Sequence, residues 1–178
     1  MPRINPLSIA EATPSVQAAF EHHITTYKGR ITNMKATLGR SLVAFEVYMG
    51  WYPLYEEMKK FTSDRLAYLY AHSISLASNC PLCTMFFRKI IIENGEKPED
   101  LVLTEDEQLL LDFGSAIAQN KGELSDEIYN SITEKYNKEQ IVILVAFAGQ
   151  MIATNIFNNV LEVKIDDYLI PYLPLTTV

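Results

Sequence analysis

Apolar residues in this chain recur every three or four positions, the period of a helix that buries one face. The clearest set is Ile141, Leu144, Val145, Ala148 and Ile152, which predicts a long helix from Asn137 to about Lys164. Leu109, Leu110, Phe113 and Ile117 mark another, opened by Thr104 with Glu107 three residues on, the pattern of a capping box. Ser125 caps an amphipathic stretch that reaches Tyr136. Nearer the start, Ser15–Tyr27 follows Pro14 and breaks at Lys28-Gly29-Arg30. A short helix is expected over Asn33–Leu38, and Ser41 caps one that runs through Val47. Pro53 fits the first turn of a helix reaching Lys60. Thr62 or Ser63 caps the next, which runs to about Ala77. Asn79-Cys80-Pro81 interrupts it, and a new helix continues from Pro81 to Glu93, stopped by Asn94-Gly95. Glu96–Leu103, with Pro98, reads as a linker; Leu173-Pro174 and the tail read as irregular. Glycine is sparse at seven residues, and no alternating strand pattern appears. The expected fold is all-α: about eight helices in a single compact domain spanning residues 1–178.

Composition narrows the possible functions. With 178 residues, 48% of them hydrophobic, the chain can bury a core without disulfides or a structural metal, and it is too apolar to be disordered. A net charge of −7 and the lack of any Lys/Arg stripe exclude nucleic acid as an expected partner. The first ten residues carry only Arg3 as a base and no apolar core of a secretory signal. The longest apolar run, Ile141–Ala148, is too short to span a bilayer, so no membrane partner is expected. The expected location is cytoplasmic, where ordinary thiols stay reduced. Two cysteines there are not a structural staple, and their spacing becomes the main clue.

Cys80-Pro81-Leu82-Cys83 has the spacing of a redox dithiol. Pro81 disfavours the α region at Cys80 and supplies a ready helical φ at the first helical position. That makes Cys80 the N-cap and Cys83 the N3 residue of a helix whose free N–H groups and positive dipole end favour a thiolate. A zinc site needs about four ligands, and the only histidines are His22, His23 and His72, with no second cysteine pair. Neither metal nor other cofactor is therefore expected. Two inert core cysteines are the bland alternative. Upstream, Asp64, Tyr68, His72 and Leu76 follow at intervals of four and share one helix face leading to Cys80. His72 can move protons near neutral pH; otherwise it is a surface or satisfied core histidine, and Tyr68 is a core residue.

The segment RLAYLYAHSISLASNCPLCTMFFRKIIIENG, residues 65–95, resembles the core motif of the carboxymuconolactone decarboxylase family, and most closely its alkylhydroperoxidase D-like branch. GRITNMKATLGRS before it and LTEDEQLLLDFGSAIAQNKGELSDEIYNSI after it resemble the flanking segments, so the likeness runs from about Gly29 to Lys164. It implies an all-α alkylhydroperoxidase D-like fold with its redox core at about residues 62–95, assembly as homotrimers or homohexamers, and thiol-dependent reduction of a small peroxide or disulfide. Cys83 would attack, Cys80 would resolve the product as a disulfide, and a thiol donor would reset the pair. Tyr68 and Phe87 stand where the branch usually has a glutamate and a histidine. The proton relay is then rebuilt from His72 as base, Tyr68 as orienting donor and Asp64 at the far end of the stripe, or the dithiol serves disulfide exchange instead. Two other classes compete: a lactone decarboxylase or hydrolase with idle cysteines, and a non-catalytic redox-sensing helical oligomer.

Overall fold

Short polar side chains start most of the helices by accepting the first free backbone N–H groups. The computed structural model describes residues 1–174, and the last four residues of the tail lie outside them. Among the described residues the order is α1 (Pro14–Tyr27), α2 (Asn33–Leu38), α3 (Leu42–Met49), α4 (Tyr52–Lys59), α5 (Asp64–Ala77), α6 (Pro81–Glu93), α7 (Glu105–Gln119), α8 (Asp126–Lys135), α9 (Lys138–Val160) and a 3₁₀ helix (Asp167–Tyr172). Thr13, Thr32, Ser41, Ser63, Thr104, Ser125 and Asn137 cap α1, α2, α3, α5, α7, α8 and α9 through their side chains. The capping box at Thr104 and Glu107 is present, and a second joins Asn137 to Gln140. The fold is all-α, as the periodicity requires.

Helix α5 is the axis of the molecule. Every residue from Ala67 to Ser75 is buried, and the helix packs against α4, α6, α7 and α9. The main core gathers around it from Tyr70, Ile91, Phe113, Leu144 and Phe147. A second, smaller core joins α1, α2 and α3 through Phe20, Leu38 and Phe45. A third cluster between these two holds Cys80, Leu82, Cys83 and Val163. The linker after α6 is fastened to α5 by Arg65, which donates to Glu96 at 2.7 Å and to the Val102 carbonyl at 3.1 Å, and also reaches Glu107.

Three features depart from the sequence expectation. Helix α9 stops at Val160 instead of about Lys164, because Glu162 turns into the left-handed region with φ 50°. Its carbonyls are then closed by Val163 N–H to Asn158 O at 2.9 Å and Glu162 N–H to Asn159 O at 3.2 Å. Val145, expected on the buried stripe, is 43% exposed; Phe147 and Met151 take the inward places. The 3₁₀ helix was not foreseen, and it packs against α6. The apolar run of α9 continues past Gln150, so the helix, 23 residues long with an 18-residue window of mean hydropathy 1.8, is long and apolar enough to cross a membrane. One face of it packs on α4, α5, α7 and α8 through Ile141, Leu144, Phe147 and Met151. Its outer face presents Val142, Val145, Ile156 and Val160 to solvent.

Helix α5 lies close against α7 at Gly114, where an added Cβ would lie 2.4 Å from Tyr70 Cε2 and 2.9 Å from Ile74 Cγ1. Tyr70 is fully buried and cannot swing away. Overpacking of this kind costs about 1–3 kcal/mol, against roughly 1 kcal/mol gained in helix propensity. Gly114→Ala should therefore lower stability by up to about 2 kcal/mol in urea unfolding.

Candidate functional site

The turn between α5 and α6 builds the site from backbone geometry. Asn79 takes the left-handed conformation with φ 49°, which asparagine tolerates better than most residues. This lets Asn79 N–H bond to Leu76 O at 3.0 Å and Cys80 N–H to Ser75 O at 3.1 Å, the paired bonds of a Schellman motif. The residue that closes α5 is thus the residue that opens α6. Cys80 sits at the N-cap in extended backbone, Pro81 occupies the first turn, and Cys83 N–H donates to Cys80 Sγ at 3.5 Å. Both placements match the expectation from Pro81. From α9, Asn159 Nδ2 donates to the carbonyls of Ser78 at 3.3 Å and Asn79 at 3.1 Å, holding the turn. Asn158 Nδ2 donates to Cys83 Sγ at 3.2 Å.

Both sulfurs are shielded from water, with Cys80 1% and Cys83 5% exposed, and both are free thiols. The Cys83 thiol donates to the Cys80 sulfur and pulls it down to about 7; burial opposes this, and the Cys83 N–H, Asn158 and the Leu82 N–H assist. The same bond, with burial, pushes Cys83 well above the usual thiol range. The pair titrates as a unit: its first proton leaves easily and its second is held.

Cys83 also lines a cavity of about 260 Å³ between the two larger cores. Tyr48, Tyr52, Tyr55, Phe86, Phe87 and Phe147 supply aromatic walls, while Lys35 from α2 and Asp166 before the 3₁₀ helix supply charge. Phe87, at the position where the resembling branch has a histidine, thus stands beside Cys83 in this wall. The sequence marked neither Lys35 and Asp166 nor the two asparagines of α9. Asn158 and Asn159 lay inside a segment read as unbroken helix, and Lys35 sits in a six-residue helix with no periodic signal.

Tyr68 and His72 are both buried, whereas Asp64 and Leu76, at the ends of the same stripe, are exposed. The Tyr68 hydroxyl donates to Glu96 at 3.0 Å, inside the Arg65 cluster. His72 is held neutral down to about 4 by burial and by the charge of Arg88, with Glu99 opposing. The cavity beside Cys83 is lined by neither, and neither is among the groups that hydrogen-bond to the two sulfurs.

No family model and no curated protein matches the chain. Solved structures do. The debrominase Bmp8 superposes with a TM-score of 0.79 at 18% identity, over 96% of this chain and 95% of that one. A cysteine-to-alanine variant of that protein, in complex with 2,3,4-tribromopyrrole, gives 0.75 at 17% over 96% and 95%. A protein of unknown function from Agrobacterium tumefaciens, suggested to be an antioxidant-defence protein of the AhpD type, gives 0.58 at 19%, over 70% of this chain and 92% of its own. At these identities the likeness establishes the fold, which is the alkylhydroperoxidase D-like one expected from residues 65–95.

The pair's low first pKa sets an expected outcome. Iodoacetamide alkylation of the reduced protein should rise with pH through a midpoint near 7, because the thiolate is the reacting form. Asn158→Leu removes an amide that favours the thiolate, so the midpoint should move up toward the free-thiol value of about 8.5.

Proposed function

We propose that this protein is a dithiol-dependent oxidoreductase that reduces a small organic substrate, foremost an organic hydroperoxide, in the cavity beside Cys83. One observation carries the reading: a cysteine pair with an easily lost first proton, of which Cys83 opens on an aromatic cavity. The Cys83 thiolate attacks the terminal peroxide oxygen, giving a sulfenic acid and an alkoxide that takes up a proton. The Cys80 sulfur then attacks the sulfenic sulfur, forming the disulfide and releasing water, and an external dithiol returns both cysteines to thiols. A buried pair handling such a cycle suits a reducing, cytoplasmic setting.

The proton relay from His72 and Tyr68 belongs to the same proposal. A neutral His72 would serve by passing hydrogen bonds and not as a cation. Hydrogen peroxide needs no aromatic enclosure, so cumene hydroperoxide should be consumed faster than hydrogen peroxide with dithiothreitol as donor. Cys83→Ser should abolish turnover of both, and an unchanged rate would sink the reading. A general acid or base typically contributes about 10²–10⁴-fold. His72→Ala rates within about threefold, well short of that range, would remove His72 from the relay.

A second reading is favoured by the aromatic walls and by the debrominase among the similar structures. The same dithiol would convert a brominated aromatic ring and two thiols into the debrominated ring, the disulfide and hydrogen bromide. Bromide release from a bromopyrrole, dependent on Cys83, tests it.

Self-association into trimers or hexamers is also proposed, supported by the resemblance and by the exposed apolar face of α9 at Val142, Val145, Ile156 and Val160. Sedimentation equilibrium at micromolar concentration should give a multiple of 20.2 kDa. A single species at the chain mass would end that part.

A further inference from the structure

Lys35 is an expensive residue to bury. It is 7% exposed, yet Nζ donates only to the Arg30 carbonyl at 3.1 Å among the described residues and lies 5.4 Å from the centroid of the Tyr52 ring. An ammonium has three donors to satisfy. Asp166, 8% exposed, lines the same cavity. Its Oδ1 accepts from Asn33 N–H at 2.8 Å, while its buried Oδ2 has no protein partner. Lys35 feels the charge of Asp166, while the cation that opposes burial at Asp166 is Arg30, and among the described residues Lys35 and Asp166 form no salt bridge with each other. Burial pulls Lys35 down to about 8 against the charge of Asp166, and burial pushes Asp166 up from the usual carboxylate range against the Asn33 N–H and the charge of Arg30. Buried charges are normally paired, so an unsatisfied donor and an unsatisfied acceptor on one cavity wall define a place for a ligand group that is both.

We infer that the Lys35–Asp166 wall binds the hydroxyl of a small phenol-type substrate, whose oxygen accepts from the Lys35 ammonium and whose O–H donates a hydrogen bond to the Asp166 carboxylate. The ring then lies among Tyr52, Phe86, Phe87 and Phe147, in the space Cys83 also lines. The size is suitable: a dry cavity of roughly 150 Å³ already accepts benzene, and this one measures about 260 Å³. A carboxylate would meet the Asp166 charge. A plain hydrocarbon ring would leave both groups unsatisfied. Only an amphiprotic group answers both. This inference rests on the reading that the cavity beside Cys83 is the substrate site, and it names the phenol hydroxyl by which that site would hold an aromatic substrate whose reducible bond lies elsewhere on the molecule.

The test is calorimetric binding of para-chlorophenol, para-chlorobenzoate and chlorobenzene to the reduced protein, alongside Lys35→Met and Asp166→Asn. A charge-assisted hydrogen bond is worth enough to change affinity by about tenfold or more. The phenol should therefore bind at least about tenfold more tightly than chlorobenzene. Lys35→Met, which keeps the length and apolar stem, should erase that preference and leave chlorobenzene affinity unchanged. Asp166→Asn keeps the acceptor for Asn33 N–H but replaces Oδ2 by a donor, so it should weaken the phenol selectively and decides the matter if Lys35→Met fails to fold. Equal affinity for phenol and chlorobenzene, preference for the benzoate, or indifference to both substitutions overturns the inference. The dithiol cycle is read separately from hydroperoxide turnover. Lys35-dependent phenol binding in a protein that does not turn over supports this inference and defeats the redox reading. Turnover with no preference for the phenol does the reverse.

Discussion

The site depends on one backbone event, the left-handed turn at Asn79 that ends α5 and begins α6 without an intervening loop. A helix end leaves carbonyls unpaired and a helix start leaves N–H groups unpaired, and both must be answered within this turn. The Schellman bonds answer the first need with the N–H groups of Asn79 and Cys80. The Cys80 sulfur answers part of the second by accepting from Cys83 N–H. A cysteine at an N-cap is a weak acceptor compared with the serines, threonines and asparagine that cap the other helices of this chain, unless it is a thiolate. The capping demand of α6 and the acidity of the pair are therefore the same interaction seen from two sides.

Helix α9 secures that turn from outside. Its last turn brings Asn159 to the carbonyls of Ser78 and Asn79 and Asn158 to the Cys83 sulfur. The chain then closes α9 with the same kind of motif that closes α5, with Glu162 in place of Asn79. Val163, the next residue, packs into the cysteine cluster. Two helix ends with matching geometry thus meet at the sulfurs, each capped by its own backbone and joined by asparagine side chains. The cavity opens where these ends, the N-terminal helices and the main core leave space between them, which is why residues as far apart as Lys35, Cys83 and Asp166 line it.

How much of this could be read from the sequence follows the range of the signals. Helix starts were legible because capping is local: Ser41, Thr104, Ser125 and Asn137 each sit beside the N–H groups they satisfy. The cysteine pair was legible for the same reason, since Pro81 fixes the N-cap geometry within three residues. The end of α9 was not, because a glutamate in the left-handed region leaves no glycine to mark the stop. Asn158 lies 75 residues from Cys83, and Asp166 lies 133 residues from the Asn33 N–H it accepts. No periodicity within either segment reports such a meeting. Helical spacing did place Tyr68 and His72 on one buried stripe, but it could not say which neighbour that stripe faces. The neighbours are Glu96 and Arg65 for Tyr68, and Arg88 and Glu99 for His72.

The two cysteines divide between them properties that a nucleophile must combine. Cys80 carries the favoured negative charge, while Cys83 faces the cavity. The hydrogen bond between them removes the conflict. In the singly deprotonated pair the proton lies between two sulfurs, and moving it from Cys83 to Cys80 transfers the thiolate to the sulfur that lines the cavity. Asn158 stabilises the charge in either place, because its amide donates to Cys83 Sγ and also lowers the Cys80 thiol. The proton left on Cys80 travels no further than the neighbouring sulfur, and in the proposed cycle it would be available again for the resolving step. A pair whose second proton is held tightly therefore keeps one thiolate and one proton donor in contact across neutral pH, which a lone low-pKa cysteine in the same cavity would lack.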